Sequence, residues 1–248
     1  MTTTTRNPDG SGMTARRTGC AAWIELCRPE RANAYTQDML EALERHIEDA
    51  EADPAIRVIV ITGAGDRVFS AGADRNELAR RDWRSVLSLR SARAFERLRQ
   101  SPCVTIAAIN GAAVGGGVEV AIACDLRLAV STARFWLPEP ELGLLPAAGG
   151  TRLLPQLVGE LRAKELILGG AVWSAAEALL AGLLTEVVEP RDLASHVEVW
   201  VDRIARRDPD ALRLAKHAIQ RAASGHADAG FDLIAQSLLV RGQRGPST

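Results

Sequence analysis

The sequence Gly115-Gly116-Gly117-Val118-Glu119 decides how the rest of the chain is interpreted. It follows an apolar run typical of a buried strand, residues 104–109, and precedes a helix-like run that ends at Asp125. Consecutive glycines allow a tight turn and a close approach of the backbone to a ligand, because they have no Cβ. The free N–H groups at the start of the following helix favour negative charge. With Glu119 in its first turn, the stretch predicts either a packing turn or a site that stabilises an oxyanion.

Strand-like and helix-like segments alternate on both sides of this stretch, which indicates an α/β fold. Strands are predicted at residues 21–26, 57–62, 104–109, 126–130 and 183–188. Helices are predicted at residues 37–52, 82–100, 118–124, 152–158, 161–169, 174–181, 192–206, 209–223 and 229–240. Thr36 and Thr151 are the predicted N-caps of two of these helices. We expect a disordered tail over residues 1–19, a core over 20–190, a helical oligomerisation region over 191–240 and a polar tail over 241–248.

Composition indicates an ordinary soluble globular protein. The 248 residues have a formal net charge of −1, and the basic residues are scattered, so a nucleic-acid surface is not expected. No apolar run is long enough to span a bilayer. A zinc site is not expected, because no C-x-x-C pair or histidine cluster accompanies the cysteines, Cys20, Cys27, Cys103 and Cys124. These features predict a cytoplasmic protein without a metal.

A second glycine-containing turn, Gly63-Ala64-Gly65, follows the strand predicted at residues 57–62. It matches the start of a dinucleotide-binding fingerprint, which needs a helix N-terminus beside the glycines to hold pyrophosphate. Residues 67–70 look extended rather than helical, so that anchor is missing. A nicotinamide-dependent oxidoreductase is therefore the less favoured interpretation of this turn.

The segment over residues 135–141 is predicted to be extended, because Pro138 and Pro140 disfavour a helix. In an extended segment Glu139 and Glu141 would point to the same side, as residues i and i+2 do in a strand.

Four blocks, in this order, resemble the crotonase superfamily, the enoyl-CoA hydratase/isomerase group, over residues 20 to 235. The blocks are Arg28-Pro29-Glu30-Arg31-Ala32-Asn33-Ala34; residues 57–65 with Val68-Phe69-Ser70-Ala71-Gly72-Ala73-Asp74; Asn110 to Glu119 with Cys124-Asp125-Leu126-Arg127; and Leu137-Pro138-Glu139 with Gly143, Pro146 and residues 149–153. The resemblance implies a spiral of β-β-α units with a C-terminal helical region. It also implies a homotrimer or a dimer of trimers, acyl-CoA thioester substrates, and no cofactor apart from the coenzyme A of the substrate.

The resemblance assigns the two N–H groups of an oxyanion hole to Ala73 and Gly116, and the catalytic acids to Glu119 and Glu139. It places CoA contacts at Arg28, Arg31, Ala34, Ala71, Gly72, Asp74 and Arg75, and the acyl pocket at Trp136 and Leu137. Two carboxyl groups beside one water can accept its proton and deliver another to the α-carbon, as syn hydration of a 2-enoyl thioester requires. An enoyl-CoA hydratase is therefore the expected activity.

The chain departs from the family pattern at three places. Trp136 and Leu137 replace a small residue and a glutamine, which would reshape the acyl pocket. Asn76 replaces a lysine common in hydratases, so Arg75 is the candidate for the phosphates. Residues 241–248 replace the usual acidic loop and last helix. An enoyl-CoA isomerase, a decarboxylase, a thioester hydrolase and a non-catalytic acyl-CoA-binding subunit therefore stay as alternatives.

Other polar residues near the four blocks have structural interpretations. Asp125 and Arg127 are predicted to form ion pairs near the start of a strand, and Glu141 is predicted to face solvent. A Ser-His-Asp hydrolase centred on Ser70 is not expected, because no histidine lies in a matching block.

Overall fold

Two β-sheets make up the centre of the protein in the computed structural model, which describes residues 10–243. The strands are β1 (Met13–Thr18), β2 (Ala21–Leu26), β3 (Val58–Gly63), β4 (Val68–Ser70), β5 (Val104–Ile109), β6 (Ala112–Val114), β7 (Leu126–Val130), β8 (Arg134–Trp136), β9 (Trp173–Ser174) and β10 (Glu186–Val188). The larger sheet has the order β1-β2-β3-β5-β7-β10 and is parallel except between β1 and β2. The smaller sheet has the order β4-β6-β8-β9, and its last pair is antiparallel.

The helices surround these sheets. They are α1 (Gln37–Ala52), α2 (Arg75–Leu78), α3 (Trp83–Leu87), α4 (Arg90–Arg99), α5 (Gly116–Ala123), α6 (Gly150–Val158), α7 (Glu160–Ile167), α8 (Ala175–Leu180), α9 (Leu193–Ala205), α10 (Pro209–Ala223) and α11 (Ala229–Gln243). Three times in succession the chain passes through a strand of the larger sheet, a strand of the smaller sheet and then helix: β3-β4-α2, β5-β6-α5 and β7-β8-α6. This confirms the α/β class and the spiral of β-β-α units.

Burial explains the continuous apolar sequence of the central strands. Consecutive residues of β3 and β5 are buried, and successive side chains of a strand point to opposite faces, so both faces of the sheet are covered. Helix α1 covers part of the sheet with the buried side chains of Met39, Leu43 and Ile47. The side chain of Thr36 accepts the N–H of Met39, which confirms it as the N-cap.

The N-terminal boundary needs correction. Residues 13–18 were predicted to belong to a disordered tail, but they form β1 and pair antiparallel with β2, with Met13 opposite Leu26. Arg16 and Arg17 interrupt the alternation of apolar and polar residues, so the sequence alone does not show this strand. The guanidinium of Arg16 lies 4.5 Å over the ring of Trp23, so its long side chain covers apolar surface. Residues 1–9 lie outside the described part of the chain.

The proline-containing segment also differs from its prediction. Residues Glu139–Leu142 form a short 3₁₀ helix instead of an extended strand. Pro140 is tolerated because the first residues of a helix need no N–H donor inside the helix. As a result Glu139 is half-buried whereas Glu141 is exposed.

Smaller differences concern helix ends and ion pairs. The helix predicted over residues 82–100 is two helices, α3 and α4, and Gly149 rather than Thr151 precedes α6. Asp125 pairs with Lys216 at 2.8 Å, as predicted for a structural ion pair. The prediction of an ion pair for Arg127 is wrong, because its buried guanidinium donates to two backbone carbonyl oxygens, one of them at the end of α5.

The C-terminal region consists of α9, α10 and α11, and α9 packs on β3, β5 and β7. Residues 241–243 continue α11, so the predicted polar tail does not begin at residue 241, and residues 244–248 lie outside the described range. Within residues 10–243, no helix has both the length and the apolarity that a membrane span requires.

Candidate active site

The glycine-rich stretch forms the turn from β6 into α5, and all three of its glycines are required by close contacts. A Cβ placed on Gly117 would lie 2.1 Å from the carbonyl oxygen of Ser70. Gly115 has φ of +52°, and a Cβ placed on it would lie 2.5 Å from Oε1 of Glu139. A Cβ placed on Gly116 would lie 2.1 Å from the hydroxyl oxygen of Tyr35. All three distances are shorter than any ordinary nonbonded contact, so a side chain at any of these positions would displace its neighbour. The groups that approach the backbone of Gly115 and Gly116 are therefore two polar side chains of the protein, those of Glu139 and Tyr35.

The loop before α2 lies against this turn. Gly72 has φ of +83°, and a Cβ on it would lie 2.9 Å from the backbone nitrogen of Gly116. The backbone of Tyr35 donates to the carbonyl of Gly72 and accepts from the N–H of Asp74, which leaves the N–H of Ala73 outside this pairing. Among the hydrogen bonds found within residues 10–243, none uses the N–H of Ala73 or of Gly116 as donor. Two unused donors therefore lie on adjacent loops.

Glu119 is placed by the first turn of α5 and held by the start of α6. Its side chain is buried, and its Oε1 accepts the N–H of Ala148 at 2.7 Å and that of Gly150 at 2.9 Å. Burial raises the pKa of Glu119 to about 7; the charge of Glu139 acts in the same direction, while the two N–H donors oppose it. A carboxyl group with this pKa can both accept and release a proton near neutral pH.

Glu139 reaches the same place from the 3₁₀ helix that follows β8. Burial raises the pKa of its carboxyl group as well. Its Oε2 is buried and has no hydrogen-bond partner among the residues that the structure describes. A buried carboxylate oxygen needs a partner, so this atom is suited to a water molecule or a substrate group.

Most of the predicted site residues line one cleft of about 720 Å³. They are Arg31, Ala34, Ala71, Ala73, Asp74, Arg75, Gly116, Glu119, Trp136 and Glu139. Cleft-lining leucines, Leu142, Leu144 and Leu145, follow Glu139 and supply an apolar wall. The cleft therefore combines two acids, two unused N–H donors and an apolar surface.

Three predicted residues do not line this cleft. The guanidinium of Arg28 turns inward and donates to the carbonyl of Ala34 at 2.9 Å and to Oδ2 of Asp74 at 3.1 Å. Leu137 is only 1% exposed and packs in the core. It follows Trp136 at the end of β8, and because successive side chains alternate, only one of the two can face the cleft. Gly72 supports the loop through its contact with Gly116 instead.

Asn33 is a structural residue of the site that the sequence did not single out. Fully buried, it has φ of +52°, a conformation that asparagine tolerates better than most residues. Its Nδ2 donates to the carbonyls of Ala64 and Val68, and its Oδ1 accepts the N–H of Arg28. The hydroxyl of Ser70 donates to the carbonyl of Asn33, so this serine fastens the loop. An asparagine inside a tight turn is the signal that identifies such a residue.

Tyr35 is a second residue that the sequence analysis missed. Its ring packs edge-to-face on Phe95, with 5.6 Å between the ring centroids, and the residue lines the cleft together with Ser91. Burial raises the pKa of Tyr35, and the charge of Glu119 adds to the effect, so the phenol is neutral at physiological pH. The single tyrosine of the chain, directly after the block that ends at Ala34, was the available signal.

Comparisons with known proteins agree with this geometry. The sequence profile of the family described as enoyl-CoA hydratase/isomerase matches residues 16–239. The short-chain-enoyl-CoA hydratase of Clostridium acetobutylicum is 38% identical over 207 residues, which cover 82% of this chain and 78% of that protein. The structure of DspI of Pseudomonas aeruginosa has a TM-score of 0.87 at 38% identity, and the match covers 94% of this chain and 89% of the DspI chain.

A Thermobifida fusca YX protein solved in complex with acetoacetyl-CoA has a TM-score of 0.83 at 32% identity, and the match covers 93% of this chain and 95% of that chain. The chain therefore belongs to the enoyl-CoA hydratase/isomerase family of the crotonase superfamily.

Proposed function

We propose that this protein is an enoyl-CoA hydratase that adds water in the syn sense to the double bond of a 2-enoyl-CoA thioester. The observation that carries the proposal is the pair of carboxyl groups, buried Glu119 and half-buried Glu139, in one cleft with the unused N–H donors of Ala73 and Gly116. Relatives with hydratase names support the reaction class, and the solved complex with acetoacetyl-CoA in a related fold supports a CoA thioester as substrate.

The thioester oxygen would accept hydrogen bonds from Ala73 and Gly116. As water adds to the β-carbon, the electrons of the double bond move toward the thioester and negative charge develops on that oxygen. Each donor that is already oriented toward this charge stabilises the transition state by about 3 kcal/mol. The start of α5 contributes further, because the positive end of its dipole lies at Gly116.

The two glutamates would manage the protons. One carboxylate accepts a proton from the water while its oxygen bonds to the β-carbon, and the other carboxyl group, still protonated, delivers a proton to the α-carbon. The active pair therefore holds one proton in total, and the proximity of the two negative charges favours this state. Transfer of the proton between the two groups restores the starting state.

The remaining contacts follow from the shape of the cleft. Arg31 and Arg75 lie at its rim and would bind the phosphates of CoA, beside Ala34 and Ala71. Asp74 would act indirectly, because it caps α2 through the N–H of Asn76 and pairs with Arg28. Trp136 and the three leucines after Glu139 would form the acyl pocket.

Incubation with crotonyl-CoA and with a longer 2-enoyl-CoA tests the proposal. We expect the absorbance of the enoyl thioester to fall and the product to gain the mass of one water molecule. An unchanged mass would identify an isomerase, loss of carbon dioxide a decarboxylase, and free CoA a thioester hydrolase. Saturable binding without any product would identify a binding subunit, and heat from NAD(H) in calorimetry would favour an oxidoreductase. Each of these outcomes contradicts the hydratase proposal.

We also infer that the chain forms a homotrimer, alone or as a pair of trimers, through its C-terminal helices. Leu233 and Leu238 of α11 are 72% and 57% exposed, and among the described side chains of that helix only Ala235 is buried. A helix with so little packing inside its own chain is suited to contact a second copy. Light scattering is expected to give the mass of three or six chains, and a monomeric mass would contradict the inference.

A further inference from the structure

Tyr35 is the only tyrosine of the chain, and it lies at the contact between the loops that carry Ala73 and Gly116. Its backbone pairs with Gly72 and Asp74, on either side of Ala73. Its side chain reaches the other loop, where the hydroxyl oxygen stands 2.1 Å from the point that a Cβ of Gly116 would occupy. One residue therefore supports the first N–H donor through its backbone and places an O–H group beside the second.

The proton of this hydroxyl group is available to the cleft. A neutral phenol donates one hydrogen bond and accepts others through its oxygen. Among the hydrogen bonds found within residues 10–243, none gives the proton of this hydroxyl group an acceptor. Glu119 does not accept the proton of Tyr35, because the hydrogen bonds described for that carboxylate come from the N–H groups of Ala148 and Gly150.

Packing alone does not account for the hydroxyl group. The edge-to-face contact with Phe95 uses the ring of Tyr35, and a phenylalanine would make it equally well. A hydroxyl group taken out of water destabilises the fold unless its hydrogen bonds are satisfied. Tyr35 is 4% exposed, so the O–H group facing the cleft requires an acceptor, which a bound substrate can supply.

We propose that the hydroxyl group of Tyr35 is a third hydrogen-bond donor to the thioester oxygen, beside the N–H groups of Ala73 and Gly116. The proposal rests on the acyl-CoA substrate of the proposed function, but it does not depend on hydration. Every reaction that passes through the enolate of a bound thioester places negative charge on this oxygen. The phenol would donate to that charge without losing its proton.

Acetoacetyl-CoA is a suitable probe, because its enolate absorbs in the near ultraviolet and can be titrated while bound. We expect Tyr35→Phe to lower the enolisation constant of bound acetoacetyl-CoA by about 10- to 100-fold, the effect of losing one hydrogen bond to a charged group. The value of kcat should fall by a similar factor, with little change in KM and in the affinity for CoA alone. Phe95→Leu is the packing control, since it loosens the ring but keeps the hydroxyl group. It should change the enolisation constant by less than about threefold.

The single tyrosine permits a test without substitution. Biosynthetic incorporation of 3-fluorotyrosine labels Tyr35 alone, and its ¹⁹F resonance should move more on binding acetoacetyl-CoA than on binding CoA. An enolisation constant of Tyr35→Phe equal to that of the wild type, or equal ¹⁹F shifts with the two ligands, overturns the proposal. A wild type that does not stabilise the bound enolate at all overturns it too. Enolate stabilisation without hydration instead contradicts only the hydratase function.

Discussion

Glu119→Gln is expected to lower the kcat of hydration by about 10²- to 10⁴-fold, the usual contribution of a general acid or base. The amide keeps an oxygen that can accept the N–H groups of Ala148 and Gly150, so the side chain stays in place while the proton transfer is lost. Glu139→Gln should have a comparable effect, because the proposed mechanism needs both groups. Steady-state kinetics with crotonyl-CoA measures both variants.

Glu198→Gln is the control for these variants. Glu198 is an exposed acid on α9 and does not line the cleft. Its substitution should leave kcat within about twofold of the wild type, as is usual for a surface position. Wild-type activity of Glu119→Gln on every thioester tried would show that the chemistry does not use this carboxyl group.

Urea unfolding of Glu119→Gln tests whether the variant remains folded, and its pH dependence has an expected sign. The pKa of Glu119 is about 7 in the folded protein, above its ordinary value, so the folded state loses stability as the pH rises toward 7. The glutamine variant avoids this cost. It should therefore unfold at higher urea concentration than the wild type, with a gain of roughly 3 kcal/mol at pH 8 and less than about 1 kcal/mol at pH 5. An equal effect at both pH values would mean that the pKa is not raised.

Gly116→Ala is expected to lower kcat by about 10²- to 10³-fold, as loss of one oxyanion donor does. The new Cβ would stand 2.1 Å from the hydroxyl oxygen and 2.8 Å from Cζ of Tyr35. The ring of Tyr35 is buried against Phe95, so it cannot move aside without losing that packing. The loop must shift instead, and the N–H of Gly116 moves away from the thioester oxygen. Kinetics on a 2-enoyl-CoA and titration of bound acetoacetyl-CoA both report this loss.

Two further variants isolate the cause. Gly230→Ala also places a methyl group near the start of a helix, but the neighbour it meets is the flexible side chain of Asp228, at 3.1 Å, so activity should be unchanged. If the contact with Tyr35 is responsible, Tyr35→Ala combined with Gly116→Ala should lose less stability than the sum of the two single variants. Additive losses, or a Gly116→Ala enzyme with wild-type kcat, would contradict the close contact.

Much of the fold could be predicted because its signals are local. The strand at residues 104–109 has the predicted bounds, and Thr36 caps α1, since both depend on apolar runs and turn residues within a few positions. The exceptions have local causes too. Charged residues concealed β1, and Pro140 at the start of a 3₁₀ helix was taken as a sign of an extended segment. An arginine can cover apolar surface with the stem of its side chain, and a proline can begin a helix as well as stand in an extended segment.

The candidate site was less predictable than the fold. Glu119 could be singled out because it follows three glycines, and Glu139 because of its proline neighbours and the family resemblance. Arg28 was assigned to CoA, but its guanidinium donates to the backbone carbonyl of Ala34. Leu137 was assigned to the acyl pocket, but its side chain packs in the core. Whether a side chain faces a cleft or the interior depends on the strand it follows and on its partners, which the residue type does not specify.

By itself the sequence determined five strands of the larger sheet, the glycine turn and the acid beside it, because hydrophobic period and backbone freedom are properties of short segments. The β-β-α succession was expected from the family resemblance. Only the tertiary structure decided which groups meet in the cleft. It brings Tyr35 against Gly116, 81 positions later in the chain, and sets the loop of Ala73 beside that of Gly116. These contacts depend on the pairing of separate strands and on the stacking of two loops. They explain why all three positions of the turn are glycine, and they give the proposed oxyanion site its place.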